Sequence, residues 1–269
     1  VLGIALCAFL LYCLIFRTRQ DLGIYRYLQI IMVSIDASYT TGQLFIRGRI
    51  ITAEGMFAMI PTSSFGVTKE VLCLYLAVYN LTWVMIDYNF LYRLWAVKSP
   101  LRIGLFSDAR FILLLISIGL LESAVWISMY TLLVRLPKVF SSQEDGSMHW
   151  RPVEGVIVSF VVMTICFGFM IYSIVEILHH LRVSKFISKK TMRLQQQLFI
   201  ALCLQAIIPL IFLYCPCGMM ILLPLTRLDS SWMARATPLL ISCFLPLDAL
   251  AVLLSMTEYR QELMRIIRC

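Results

Sequence analysis

Seven long apolar runs decide what this chain can be. They cover roughly residues 1–16, 25–45, 67–95, 111–134, 153–178, 198–225 and 232–256. All but the first match or exceed the roughly 20 residues that a helix needs to cross the hydrocarbon of a bilayer. The first is short, and Val1 stands inside it, so the expectation is a chain truncated at its N-terminus. In hydrocarbon each backbone N–H and C=O left without a partner costs several kcal/mol, which leaves only helices and closed barrels. Barrel strands alternate apolar and polar residues, whereas these runs are continuous. Composition agrees: 61% of residues are apolar and 14% charged, against roughly 45–50% and about 25% in soluble domains. The expected fold is an all-α membrane protein, a single seven-transmembrane helix bundle over residues 1–269. No internal repeat is visible, which speaks against a repeat-built transporter.

Charge sets an orientation. The connections after spans one, three and five, with the C-terminal tail, hold 15 of the 23 Lys and Arg residues, among them Arg17, Arg26, Arg93, Lys98, Arg182, Lys189, Lys190 and Arg260. Cytoplasmic loops collect Lys and Arg, so this side is expected in the cytoplasm, with the N-terminus outside and the C-terminus inside. Insect-type odorant-gated channels have the reverse orientation. Retinal proteins need a lysine in the last span, and residues 232–256 contain none.

Motifs of soluble enzymes are missing. The sequence has no Gly-rich phosphate loop and no Cys-x-x-Cys pair, so neither enzyme activity nor a cofactor is expected. Adjacent His179 and His180 point about 100° apart on a helix, so they do not chelate one metal together. Eight of the nine cysteines lie in spans, where a free thiol packs as a small hydrophobe. The stretch 135–152 carries no cysteine to tether an outer loop to span three. Cys269, beside a basic amphipathic tail, is either a palmitoylation site or a plain terminal residue.

Acids inside spans are costly and point to pairing or function. Asp36 in span two and Asp248 in span seven are the deep ones. Two readings stand: structural hydrogen bonding across the bundle, or an ion or proton site that tunes a switch. Asp87, Glu122 and Glu176 are the other acids within spans. Prolines fall in span six (Pro209, Pro216, Pro224) and span seven (Pro238, Pro246). They are either tolerated kinks or hinges for a moving helix. Arg93, at the inner end of span three, is either a snorkelling arginine or a partner-binding one. The basic stretch 179–190 suits amphipathic extensions of spans five and six, drawn to anionic lipid or to a cytosolic protein.

Three stretches resemble the nematode serpentine chemoreceptors of the Str and Srj group. Residues 194–209 (LQQQLFIALCLQAIIP) are similar to that group's span-six opening and its Gln-x-x-Ile-Pro kink. Pro246-Leu247-Asp248 followed by Tyr259-Arg260 is similar to its span-seven ending. Tyr92-Arg93, with Pro100 beyond, is similar to the Tyr-Arg of its span three. The resemblance implies a chemosensory receptor coupled to a heterotrimeric G protein in the plasma membrane, in the ciliary membrane of chemosensory neurons. It places Tyr92, Arg93, Lys189, Lys190, Tyr259 and Arg260 on the coupling face. The chain lacks the acid before the arginine and the Asn-Pro-x-x-Tyr ending of rhodopsin-like receptors, so their locks do not transfer by position.

On this reading a small external chemical binds between the outer halves of spans three, five, six and seven. The expected lining is Tyr75, Tyr79, Phe160, Met163, Phe212, Met219 and Met220, with Asp36, Pro209, Pro216, Pro246 and Asp248 as switch and hinge residues. Membrane lipid is the other partner, and no nucleic acid is expected. The alternative is a seven-helix transporter or ligand-gated channel with Asp36 and Asp248 along its path.

Overall fold

The computed structural model describes residues 2–17, 23–46, 48–53, 56–61, 68–135, 150–183, 189–216, 218–219 and 231–267. Helix α1 (Leu2–Tyr12) continues as a π-helical turn, Cys13–Arg17. Helix α2 (Ile24–Ile46) follows, then an antiparallel hairpin of β1 (Gly48–Ala53) and β2 (Met56–Pro61), with Gly48 opposite Pro61 and Ala53 opposite Met56. Helix α3 (Lys69–Lys98) leads through a 3-10 segment, Pro100–Ser107, to α4 (Ala109–Arg135). Helices α5 (Trp150–Val183) and α6 (Lys189–Pro209) come next, and a π turn, Leu210–Tyr214, extends α6. The chain finishes with α7 (Ser231–Ser255) and α8 (Thr257–Ile267).

The helices pack as one bundle. Helix α3 is its hub and touches α2, α4, α5 and α6, while α7 closes the other side against α1, α2 and α6. The interior holds Leu10, Met32, Ile86, Phe90, Leu202, Leu213, Phe244 and Leu253, all sealed from the surface. Small residues let helices approach closely. A Cβ on Gly3 would come 3.1 Å from the Pro246 ring, and one on Gly42 would come 3.1 Å from Tyr75.

The surface is apolar where a soluble protein would be polar. Ile112, Leu113, Leu114, Leu120 and Leu121 of α4 face outward, as do Ile165, Ile171 and Val175 of α5. Among the described residues five helices have the length and hydropathy of a membrane span: Glu70–Lys98, Ala109–Ser128, Phe160–Val183, Met192–Tyr214 and Arg235–Ser255. Leu2–Arg17 is apolar but shorter. Helix α2 is diluted by polar residues; Ser34, Ser38 and Thr41 lie at its surface, and two others point inward. Gln29 and Asp36 are buried, while Tyr27, Ile31, Leu44 and Phe45 are exposed.

Three features depart from a reading of seven apolar spans joined by loops. The connection after α2 forms the β hairpin, and β1 packs against α7. Helix α6 begins at Lys189, nine residues before its apolar run, because basic and glutamine residues continue it beyond the hydrocarbon. The tail folds as α8, whose Tyr259 is sealed inside while Arg260 is exposed.

Candidate functional site

One end of the bundle is held by contacts between side chains of different helices. Arg93 (α3) is 3% exposed. It donates to Gln195 Oε1 of α6 at 2.8 Å and lies 4.0 Å from the centre of the Tyr25 ring of α2. Tyr25 in turn stacks on Tyr92, with ring centres 5.9 Å apart. Nε and one terminal nitrogen of Arg93 have no hydrogen-bond partner. Arg93 is thus a buried cation held by an amide oxygen and a ring face, with no acid beside it among the described residues.

Around it the neighbouring helices are tied as well. Lys98 Nζ meets Glu176 Oε2 at 2.9 Å, joining α3 to α5. Thr257 donates to Gln197 Oε1 at 3.0 Å, joining the start of α8 to α6. Arg17 approaches Glu262 at 3.6 Å, and Arg26 donates to the carbonyl of Ile15. The Lys98–Glu176 pair is partly exposed and adds little to stability.

A polar layer lies directly above this end. Gln29 Nε2 donates to the Tyr25 hydroxyl at 2.9 Å, and it also approaches Asn89 Oδ1 at 3.2 Å and Gln205 Oε1 at 3.3 Å. Asn89 returns a bond to the Met85 carbonyl at 2.8 Å. The layer therefore ties α2, α3 and α6 where no water competes. Higher still, Thr82 donates to Asp36 Oδ1 at 3.1 Å. Asp36 of α2 and Asp248 of α7, helices that pack against each other, are 1% and 2% exposed. Asp36 Oδ2 and Asp248 Oδ1 have no hydrogen-bond partner.

Above the acids, aromatic rings fill the interior. Tyr39 stacks on Tyr75 at 4.9 Å and packs on Tyr79 at 5.7 Å. Tyr79 meets Tyr214 at 5.1 Å, and Trp83 meets Tyr214 at 4.0 Å and Phe167 at 4.8 Å. Tyr75 and Tyr79, expected as ligand lining, thus stand together. Met163 and Phe212 pack against the core from its margin. Phe160 and Met219 are exposed and stand apart from the ring layer, and Met220 lies outside the described residues. The layer's other rings, Tyr39, Trp83, Phe167 and Tyr214, were missed by sequence reasoning. A periodic reading of α3 would have found Trp83, four residues after Tyr79.

Of the expected coupling residues, Tyr92, Arg93 and Tyr259 are buried at the same end and Arg260 is exposed there. Lys189 and Lys190 open α6. Pro209 and Pro216 are both buried and flank the π turn, and Pro246 packs on Gly3 of α1. Lys185, Cys217, Pro224, Cys269 and residues 136–149 lie outside the described residues.

The family model described as serpentine type 7TM GPCR chemoreceptor Str matches residues 1–138 and 133–264. The chain is 25% identical to serpentine receptor class r-10 of Caenorhabditis elegans, over 92% of this chain and 83% of the relative. It is 36% identical to serpentine receptor class r-10 of Caenorhabditis briggsae over a shorter stretch, 40% of this chain and 29% of the relative. This multi-pass membrane protein belongs to the Str family of serpentine chemoreceptors, a family of receptors of the G-protein-coupled type.

Proposed function

We propose that the chain is a chemosensory receptor that binds a small external chemical and activates a heterotrimeric G protein. It does so as one seven-helix domain, with its N-terminus outside and Arg93 at the cytoplasmic end, in the ciliary plasma membrane of chemosensory neurons. The observation that carries this reading is the state of Arg93. A buried arginine held by one neutral amide and a ring face is costly to maintain at the edge of a membrane. Its contacts reach α2 and α6 at once, so separating α6 from α3 releases it. A ligand acts by favouring the separated arrangement through differential affinity.

Tyr92, Arg93, Lys189, Lys190, Tyr259 and Arg260 form the coupling face on this proposal. Tyr75, Tyr79, Met163 and Phe212 contribute to the ligand site. Asp36, Pro209, Pro216, Pro246 and Asp248 serve the switch. The transporter or channel alternative draws on the same deep acids, each with an unpartnered oxygen.

The test is a calcium or cAMP response to a panel of small odorants in cells expressing the chain. At least one compound is expected to evoke a response, and Arg93→Ala is expected to abolish it while surface expression persists. An unchanged response in that variant removes Arg93 from the mechanism.

A further inference from the structure

The aromatic layer and the acids form a single arrangement. Asp36 lies one helical turn from Tyr39 on α2, and Thr82, which holds Asp36 Oδ1, lies one turn from Tyr79 and beside Trp83 on α3. The ring layer of Tyr39, Tyr79, Tyr214 and Trp83 therefore begins about one helical turn from the Asp36 carboxyl. Asp36 Oδ2, Asp248 Oδ1 and Trp83 Nε1 are all buried and have no hydrogen-bond partner. Neither acid forms an ion pair among the described residues.

Two physical demands converge here. A buried carboxyl stays ionised only beside a compensating positive charge. Electron-rich ring faces attract cations and favour weakly hydrated, partly apolar ones. A neutral ligand meets only the second demand, weakly, and an inorganic cation makes little use of the rings. We infer that this site takes a small organic ammonium group, with its charge toward Asp36 and Asp248 and its carbon substituents among Tyr39, Tyr79, Tyr214 and Trp83. The inference rests on the ligand-activated reading and names the ligand class of that site.

The same geometry supplies a route to the coupling end. Tyr214 closes the π turn Leu210–Tyr214, where the regular hydrogen-bond ladder of α6 is interrupted after Pro209. Such insertions recur at functional sites because the backbone there is adjustable. Admitting a group between Tyr79 and Tyr214 moves a ring of α6 away from α3. The other end of α6 holds Gln195, the hydrogen-bond partner of Arg93.

The experiment is thermal unfolding of the purified full chain in lipid nanodiscs, titrated with tetramethylammonium chloride or butylammonium chloride. Butan-1-ol and sodium chloride at the same concentrations serve as comparisons. A saturable rise in midpoint is expected with both ammonium salts and with neither comparison. Asp36→Asn is expected to weaken the apparent affinity about tenfold or more. Tyr79→Leu is expected to weaken it several-fold and Tyr79→Phe to retain it, and this pair decides the matter if Asp36→Asn does not fold. An equal rise with butan-1-ol or sodium chloride overturns the inference, as does no rise with either ammonium salt or unchanged affinity in both Asp36→Asn and Tyr79→Leu. Signalling by neutral odorants without an ammonium response sinks the ammonium site and leaves the receptor reading. Ammonium binding in a chain that evokes no signalling does the reverse.

Discussion

Arg93 shows how a single residue changes meaning once its neighbours are known. From charge and position alone it is an interfacial arginine of the kind that snorkels. In the structure it is sealed between Gln195 and the Tyr25 ring. Gln195→Ala removes the amide oxygen that accepts from its guanidinium. The expected outcome is raised ligand-independent signalling at equal surface density, read as basal cAMP or calcium. The polar layer above predicts an effect on stability. Gln29→Leu leaves Asn89 Oδ1 and Gln205 Oε1 without the donor they share, and leaving a buried polar group unpaired costs about 1–3 kcal/mol; pairings within membranes measure near the low end of that range. A lowered unfolding midpoint in nanodiscs checks it. Asp36, Asp248 and Arg93 were legible in the sequence because a charge inside an apolar run is conspicuous. Gln29, Asn89 and Gln205 were not. They are uncharged, and the partners of Gln29 lie 60 and 176 positions away, a separation that no local pattern encodes.

Among the elements, α6 carries the most consequence. Its apolar run, its glutamine opening and its prolines were all readable, but the π turn between Pro209 and Pro216 was not. A proline removes one backbone donor, and the sequence does not say how the helix absorbs that loss. Pro209→Ala restores the donor and favours a regular α6. The variant is expected to unfold at a higher temperature and to signal less strongly at saturating ligand. Faster or stronger signalling would show that the π turn is not part of the switch. Helix α2 teaches a related point. Its low hydropathy looks like a weak span, yet Gln29 and Asp36 face the interior while Tyr27, Ile31, Leu44 and Phe45 face outward. The hairpin Gly48–Pro61 went unread because a short amphipathic connection between two helical runs gives no distinct period. Helix α8 was foreshadowed only by the amphipathic character of the tail.

At the scale of the whole molecule, the bundle arises from two simple requirements. Apolar side chains coat the outside and backbone groups pair within helices. The polar residues left over collect on the axis, in an order running from Arg93 through the Gln29 layer and the two acids to the rings. On the proposed reading, the asymmetry of Lys and Arg places the Arg93 end in the cytoplasm. A tag at the N-terminus is expected to be stained on intact cells, and a tag at the C-terminus only after permeabilisation; the opposite pattern reverses the proposed coupling face. The family and the general helical plan were within reach of the sequence. The convergence of α2, α3, α6 and α7 on one column of polar and aromatic groups was not, because it depends on how the helices rotate against one another. The central claim is that this column links a ligand to a G protein. Its most direct measurement is nucleotide exchange by a purified heterotrimeric G protein with the chain in nanodiscs, across a panel of small ligands that includes ammonium compounds. Exchange that rises with ligand and is lost in Arg93→Ala is the predicted result. Ligand-evoked current or flux in liposomes lacking any G protein, with no stimulation of exchange, would contradict it.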